Sequence, residues 1–199
     1  MPAGCRHAQG AGVAEKRIEL ETPRLRLRRW HDEDLDPLAQ ICADPEVMRY
    51  LPAPLSRDES AALLVHCRLH FLRYGFGLWV MERKDSGALI GFCGLAWSAP
   101  QLPFAPAVEL AWRLACAHWG QGLAYEAAGA VLACAFERLK LPEVIAYTAQ
   151  LNEPSRQLLE ALGMQADTAG DFDHPGLPPG HPLRRQLFYR QRRSDWRGG

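Results

Sequence analysis

The stretch Val108-Glu-Leu-Ala-Trp-Arg-Leu-Ala-Cys-Ala-His-Trp-Gly-Gln-Gly-Leu-Ala-Tyr-Glu-Ala-Ala128 carries the clearest structural pattern in the chain. Its first residues are mostly apolar and predict a strand, its two glycines predict a tight turn, and its alanine-rich end predicts a helix. The first N–H groups of a helix have no backbone partner, and the helix dipole is positive at that end. The turn therefore predicts a binding site for a phosphate group.

Two familiar phosphate-binding turns do not fit these residues. A P-loop requires Lys and then Ser or Thr directly after its last glycine, whereas Leu123 and Ala124 follow Gly122. A dinucleotide-binding turn requires Gly or Ala three residues after its second glycine, and Tyr125 stands there. No acidic residue ends a strand about 20 residues farther on, as that motif expects. The sequence therefore disfavours both a nucleoside triphosphate and a nicotinamide cofactor.

A strand that contains a Glu, followed by a Gly-x-Gly-x-Ala turn and a helix, resembles the acyl-CoA site of the GNAT N-acetyltransferases. The similarity is greatest to their ribosomal-protein-alanine acetyltransferase-like branch, the RimJ/RimL type. Members of the family carry the signature Arg/Gln-x-x-Gly-x-Gly/Ala. Gly122 and Ala124 match the last two positions of this signature, and Trp119 departs from it by replacing the Arg or Gln.

Three further segments resemble the same family and keep its order over residues 18–190. Glu21-Thr-Pro-Arg-Leu-Arg-Leu-Arg28 is similar to the opening strand, and Ile90-Gly-Phe-Cys-Gly94 to the strand before the cofactor strand. Asn152-x-x-Ser155 and Leu159-Glu-Ala-Leu-Gly-Met164 are similar to the last helix and its exit. The resemblance implies an α+β (α/β layered) GNAT fold. Its central sheet is mixed and mostly antiparallel, with about six to seven strands, and helices flank both faces.

Local patterns predict the elements between these segments. Leu25 and Leu27 alternate with arginines over residues 24–30, which is typical of a strand with one buried face. Ser56-Arg-Asp-Glu59 is a capping box and predicts a helix that ends near residue 74. The remaining predicted strands are 78–83, 88–98, 108–114, 143–151 and 186–190, and the remaining helices end near residues 43, 140 and 163.

Composition indicates an ordinary globular protein. Of the 199 residues, 48% are hydrophobic and 23% are charged, a balance that fits one folded domain. The formal net charge is zero, so no global field favours nucleic acid or an anionic membrane as a partner. No apolar run approaches the ~18–20 residues of a membrane-spanning helix. We therefore expect no nucleic-acid and no membrane partner, whereas a homodimer, which is common in the family, stays open.

Three segments are expected along the chain. Residues 1–17 are rich in Ala and Gly and predict a disordered leader, residues 18–191 predict a single GNAT domain, and residues 192–199 predict a basic C-terminal tail. The cysteines at positions 5, 42, 67, 93, 116 and 134 form no C-x-x-C pair and mostly lie among apolar residues. This pattern is typical of reduced thiols and predicts a cytoplasmic protein.

The resemblance implies an acetyl-CoA-dependent N-acetyltransferase that transfers the acetyl group directly to a primary amine of a small molecule or a protein N-terminus. Acetyl-CoA is then a cosubstrate, and no metal is expected. Many relatives carry a Tyr general acid four residues before the glycine that ends the last helix, and Leu159 occupies that position here. This departure leaves open a non-catalytic acyl-CoA-binding sensor or interaction module.

Glu109 is the candidate general base, because it lies on the strand where the family places its acidic residue. A surface glutamate of a half-buried strand is the alternative. Asn152 has two possible roles, as a helix N-cap and as a cofactor contact, and Ser155 is a candidate donor to the coenzyme sulfur. The predicted cofactor-binding residues are Trp112, Arg113, Leu114, Trp119, Gly120, Gln121, Gly122, Leu123, Ala124, Asn152 and Ser155.

Other possible sites are weaker. His66 and His70 have the spacing of a zinc pair, but Cys67 stands where a metalloprotease motif has Glu, and no third ligand is evident. Cys116 and His118 lack a third group that would orient them as nucleophile and base. Residues 171–183 predict a surface loop that either lines the acceptor pocket through Asp173 or His174 or is simply rigid.

Overall fold

A computed structural model describes residues 18–198. Within them one nine-stranded sheet has the order β1-β2-β3-β4-β5-β6-β9-β7, and β8 also pairs with β9. The strands are β1 Leu20–Glu21, β2 Leu25–Arg28, β3 Leu78–Arg83, β4 Leu89–Trp97, β5 Val108–Leu114, β6 Glu143–Ala149, β7 Gln165–Ala166, β8 Phe172–Asp173 and β9 Arg185–Arg192. The α-helices are α1 Leu35–Ala43, α2 Pro45–Met48, α3 Arg57–Tyr74, α4 Leu123–Ala133 and α5 Glu153–Ala161.

One pair of neighbouring strands in this sheet is parallel. All other strand pairs are antiparallel, whereas β5 and β6 run in the same direction and pair only at Glu109 and Ile145. Beyond this pair the two strands diverge and open the sheet. The prediction of a mixed, mostly antiparallel sheet flanked by helices on both faces is confirmed. The strand number exceeds the expected six to seven because β1, β7 and β8 have two residues each, too few for a periodic pattern.

The helices form two groups. Helices α1, α2 and α3 pack with one another, α4 packs with α5, and both groups contact the sheet. Arg113 points to the first group, since its guanidinium Nη1 donates to Cys42 Sγ of α1 at 2.9 Å. Successive side chains of a strand alternate between faces, so Trp112 and Leu114 point to the second group. The two faces of β5 therefore pack against different helix groups.

Local capping explains where the longer helices begin and end. The capping box of Ser56 and Glu59 is present, and α3 ends at Gly75, which has a φ of 75°. Asn152 Oδ1 accepts from the N–H of Ser155 at the start of α5, and Gly163 has a φ of 80° at its end. The helix predicted to extend to residue 140 is α-helical only to Ala133. It continues as the wider π-turn Cys134–Arg138.

Strand β2 is shorter than the strand predicted over residues 24–30. It ends at Arg28 because the chain turns at Trp30, whose indole N–H donates to the carbonyl of Leu78 at 2.6 Å. At the other end of the chain, Arg193–Asp195 form a 3-10 turn, and Trp196 packs beside Phe136 with ring centroids 5.4 Å apart. The chain therefore stays packed on the domain through Trp196.

The predicted leader at residues 1–17 and Cys5 lie outside the described residues. Of the described cysteines, four are buried and Cys116 is partly exposed, and all five are free thiols. In residues 18–198 we find no helix with the length and apolar character needed to span a bilayer.

Candidate active site

A cleft of about 310 Å³ lies between the end of β5 and the start of α5, where the sheet opens. Four regions of the chain line it: α2 with the residues after it, the end of β5, the glycine turn with the start of α4, and the start of α5. Of the predicted site residues, the cleft brings together Trp112, Arg113, Leu114, Trp119, Gly120, Gly122, Leu123, Ala124, Asn152 and Ser155. Glu109 and Gln121 are not in this lining.

The glycine turn adopts the backbone conformation that its two glycines allow. Gly120 has a φ of 70° and Gly122 a φ of 73°, both in the left-handed region that other residues enter at a cost. Gly122 is the N-cap of α4, and no side chain of residues 18–198 caps this end. The first N–H groups of α4 therefore remain available to an anion, and the helix dipole favours one there.

Thr22 and Arg24, which lie between β1 and β2, hold the glycine turn through a set of hydrogen bonds that we call the strut. Arg24 Nη1 donates to the carbonyl of Gln121 at 2.8 Å, and Arg24 Nε donates to Glu126 Oε2 at 2.6 Å. Thr22 Oγ1 donates to Glu126 Oε1 at 2.5 Å. Burial opposes ionisation of Glu126, but the bonds from Thr22 and Arg24 prevail and lower its pKa. The turn and the first turn of α4 are thereby tied to the segment that leads into β2.

The sequence did not predict this strut, although Arg24 and Glu126 both lie in segments that resemble the family. Arg24 and Glu126 are about a hundred positions apart, and an exposed-looking arginine gives no sign of its partner. Gln121 also makes a side-chain bond near the turn, since its Nε2 donates to the carbonyl of Ala117 at 3.0 Å. The carbonyl of Gln121 is bound by Arg24, and its side chain contacts Ala117 and Arg83. A contact of its N–H with a cofactor stays a prediction.

The ladder between β4 and β5 sets the direction of the backbone groups of β5. The N–H of Ala115 donates to the carbonyl of Ile90 at 2.9 Å, so the odd-numbered residues of β5 form the hydrogen-bonded pairs with β4. The N–H and C=O groups of the even-numbered residues point away from β4. Since β6 pairs with β5 only at Glu109, the backbone of Trp112 and Leu114 lies at the cleft without a strand partner among residues 18–198.

Trp119 closes one side of the cleft in place of the Arg or Gln of the family signature. Its indole Nε1 donates to the carbonyl of Leu114 at 2.8 Å, and its ring is 41% exposed. The guanidinium of Arg49 lies 5.9 Å from the centre of the same ring. The bond to Leu114 fixes the ring against the strand end, so Trp119 contributes an apolar wall rather than a charge.

Glu109 lies at the point where β5 and β6 separate, on the same face of the sheet as Arg113. Its side chain is largely buried, and Oε2 has no hydrogen-bond partner among the described residues. Burial raises the pKa of Glu109 to about 7. Burial, together with the negative charge of Glu109, also raises the pKa of the neighbouring Tyr147. A carboxyl group with this pKa exchanges protons readily near neutral pH.

The start of α5 supplies the opposite wall of the cleft. Asn152 caps the helix through Oδ1, which leaves its Nδ2 for other contacts, so the structural role predicted for it is present. Ser155 also lines the cleft and is partly exposed. Leu159 is completely buried in the core, so nothing at this position can donate a proton.

The weaker candidate sites are explained by other contacts. His70 Nδ1 is bonded to the carbonyl of Phe76 at 2.7 Å, and His70 Nε2 accepts from the N–H of Trp97 at 3.1 Å, so both ring nitrogens are occupied. Burial, together with the bond to Asp44, raises the pKa of the Cys116 thiol, which opposes its use as a nucleophile. Among residues 18–198 no three His, Cys, Asp or Glu side chains are grouped as metal ligands.

The loop at residues 171–183 bonds mainly to itself and to β9. Arg184 pairs with Asp173 at 3.2 Å, and His174 Nδ1 accepts from the N–H of Gly176 at 3.1 Å. Neither Asp173 nor His174 lines the cleft. These contacts favour a rigid surface loop over a direct role in the acceptor pocket.

Comparison with known proteins gives a consistent result. Residues 24–165 match the family described as Acetyltransferase (GNAT) domain. An N-acetyltransferase called p20 from Bacillus licheniformis is 31% identical over 74% of this chain and 83% of its own length. The FsC-acetyl coenzyme A-N(2)-transacetylase of Aspergillus fumigatus is 29% identical over 89% of this chain and 77% of its own. The crystal structure of an acetyltransferase from Agrobacterium tumefaciens superposes with a TM-score of 0.71 at 27% identity, covering 94% of this chain and 99% of that one.

Proposed function

Because the chain belongs to the GNAT acetyltransferases and is an N-acetyltransferase, we propose that it uses acetyl-CoA and acetylates a primary amine directly. The acceptor is a small molecule or a protein N-terminus. One observation carries the proposal: the free edge of β5 and the uncapped start of α4 meet in one cleft. The edge offers backbone groups to the pantetheine amides, and the helix start offers N–H groups to the diphosphate.

The coenzyme would lie along the path set by these two features. Its diphosphate would accept hydrogen bonds from the N–H groups of residues 120–124, whose glycines permit close approach of the backbone. Its pantetheine arm would pair with Trp112 and Leu114. Trp119 and Asn152 would line this path from opposite sides. The thioester would then lie near the point where β5 and β6 separate.

Glu109 would act as the general base near the thioester. An alkylammonium has a pKa of about 10.4, so most acceptor molecules are protonated at neutral pH and must lose a proton before attack. The unpartnered Glu109 carboxylate would take this proton directly or through a water. The amine nitrogen then bonds to the thioester carbon, and the backbone N–H of Trp112 would stabilise the oxygen anion that forms. When the carbon–sulfur bond breaks, Ser155 or a water beside it would supply the proton to the thiolate, and the second proton lost by the amine nitrogen would replace the one that was supplied.

Release of free thiol from acetyl-CoA in the presence of an amine panel tests this proposal. We expect turnover with at least one amine, and mass spectrometry of that product should show one added acetyl group. The rate should rise with pH and level off above about pH 7, because burial raises the pKa of Glu109 to about 7 and the base must be ionised. Absence of thiol release with every amine, despite binding of CoA, would contradict an enzymatic role.

A second function is favoured by one observation. The position of the usual tyrosine acid holds Leu159, which is completely buried. A non-catalytic acyl-CoA-binding sensor would not require that acid. The two functions differ in the response to Glu109→Gln, since a sensor keeps its CoA affinity and shows no rate in either form, whereas an enzyme loses turnover.

Three further assignments belong to this proposal. The match of the segments around Arg24, Gly122 and Ser155 supports placement in the RimJ/RimL-like branch. The free thiols support a cytoplasmic location, since reduced cysteines are typical of that compartment. The third assignment is a homodimer, which is tested by measuring the molar mass in solution at several protein concentrations.

A further inference from the structure

The cleft contains an arginine without a counter-charge. Arg113 lines the cleft, yet no carboxylate forms an ion pair with it in the described part of the chain. Its one hydrogen bond is donated by Nη1 to Cys42 Sγ at 2.9 Å, and its guanidinium lies 5.2 Å from the centre of the Phe92 ring. Its Nε is buried and has no partner within residues 18–198. A half-buried cation in this state is costly unless a ligand pairs with it.

The groups around Arg113 do not neutralise it. Burial raises the pKa of the nearby Cys67 thiol to about 12, so this thiol is uncharged at physiological pH. Glu46 is the acidic residue in the lining of the cleft, and it pairs with Arg49 at 3.4 Å. Asp44, on the same short helix, interacts with Cys116 instead, at 3.5 Å. The positive charge of Arg113 therefore remains available to an anion in the cleft.

The position of Arg113 separates it from the proposed phosphate site. Its side chain points to the face that carries α1, where it contacts Cys42, whereas α4 and its free N–H groups belong to the other helix group. Glu109 shares the face of Arg113, four residues earlier on β5. At ~3.3 Å per residue the two Cα atoms are ~13 Å apart. A ligand on this face can therefore meet the base with one end and the guanidinium with the other.

We propose that the acceptor is a primary amine that also carries an anionic group, of which a carboxylate is the simplest case, and that Arg113 binds this group. The proposal rests on the acetyltransferase function proposed above. The arginine would hold the anion by charge-assisted hydrogen bonds from the Nη groups of its guanidinium. The amine of the same molecule would then be held toward Glu109. Arg113 would thus be a specificity residue that contacts the substrate.

Matched acceptor pairs test this proposal with the intact protein. Thiol release is measured with amino carboxylates that differ in the separation of amine and carboxylate, and with the amines that lack only the carboxylate: phenylalanine with phenethylamine, β-alanine with ethylamine, and 6-aminohexanoate with pentylamine. We expect kcat/KM to favour the amino carboxylate in at least one pair by on the order of 30-fold, the usual effect of a paired buried charge. Equal rates, or a preference for the plain amines, would overturn the proposal while leaving the acetyltransferase function intact.

Arg113→Met then assigns the preference to the arginine. The expected result is loss of the preference through a higher KM for the amino carboxylate, so that kcat/KM becomes nearly equal for the two members of each pair. Arg49→Met is the matched control, because Arg49 lines the same cleft but already has an acidic partner, and it should retain the preference. If Arg113→Met instead raises the KM for acetyl-CoA alone, the anion belongs to the coenzyme and the proposal is wrong.

Failure of the variant to fold and absence of wild-type activity can both be told apart from the results above. If Arg113→Met does not fold, as judged by its thermal transition, Arg113→Lys keeps the charge without the planar guanidinium and should weaken the preference, and equal wild-type rates across the pairs still overturn the proposal. If the wild type releases no thiol with any amine, the proposed acetyltransferase function fails and the inference fails with it.

Discussion

The two halves of the cleft are built in different ways. The half proposed for the coenzyme comes from one continuous segment, the end of β5, the glycine turn and the start of α4, and it is fixed by local backbone conformation. The half proposed for the acceptor is assembled from α2, the residues after it and Arg113, with Glu109 farther along the same face of β5 and outside the cleft lining. The comparison teaches that an arrangement of backbone groups can be predicted from a short motif. An arrangement of side chains from separate elements depends on long-range packing and cannot.

Glu109→Gln gives the largest expected effect and acts on the acceptor half alone. It removes the proton acceptor and keeps the shape of the side chain. We expect kcat to fall by about 100-fold, with the rise of rate through pH 7 lost and the KM for acetyl-CoA unchanged. Steady-state kinetics from pH 5.5 to 9 measure both. A variant with the wild-type rate and pH profile would remove Glu109 from the mechanism.

Glu109→Gln should lower kcat but raise the free energy of unfolding at pH 8. Burial raises the pKa of Glu109 to about 7 in the folded protein, whereas a free glutamate has a pKa of about 4.3. The unfolded chain therefore loses its proton first, and the wild-type free energy of unfolding declines between about pH 4.3 and 7. At pH 8 we expect Glu109→Gln to be more stable by about 3–4 kcal/mol, since each pKa unit corresponds to about 1.4 kcal/mol, and at pH 4 nearly equal. Urea unfolding at the two pH values tests this, and equal stability at pH 8 would contradict the buried ionisation.

Gly122→Ala tests the coenzyme half. The left-handed conformation of Gly122 costs about 1–2 kcal/mol for a residue with a Cβ, so the turn should distort. We expect the KM for acetyl-CoA to rise about 10-fold, with the ranking of amine acceptors unchanged. Gly75→Ala is the matched control, since Gly75 has a φ of 75° and lies at the end of α3. It should lower the melting temperature without changing the KM, and an equal KM effect in both variants would mean that general destabilisation, rather than the turn, is responsible.

Arg24→Gln gives the smallest expected effect, because it acts on the turn through the strut. Loss of the bonds to Gln121 and Glu126 should raise the KM for acetyl-CoA about 3-fold and leave kcat unchanged. Arg26→Gln, next to it on β2 and paired with Glu82, is the control and should leave this KM as in the wild type. A fall in kcat without a change in KM would show that Arg24 does not position the phosphate turn.

The sequence predicts the helices and strands around the glycine turn well because their signals are local. β5 was predicted with its observed ends, the Ser56 capping box and the Asn152 cap are confirmed, and the family match covers the turn. These features depend on neighbouring residues, so one short window contains the whole pattern.

The remaining features depend on partners far along the chain. Arg24 gave no sign of its bond to Glu126, and Arg113 appeared only as a member of the cofactor strand rather than as an unpaired cation facing α1. The raised pKa of Glu109 follows from burial by segments around it, which no spacing rule contains. Two-residue strands such as β7 are set by their pairing with β9 and not by their own residues.

A crystal structure of the complex with CoA tests the central claim most directly. The predicted result places the coenzyme's diphosphate within hydrogen-bond distance of the N–H groups of residues 120–124, with the pantetheine arm along Trp112 and Leu114. A complex in which CoA binds elsewhere, with these backbone groups facing solvent, would contradict the account.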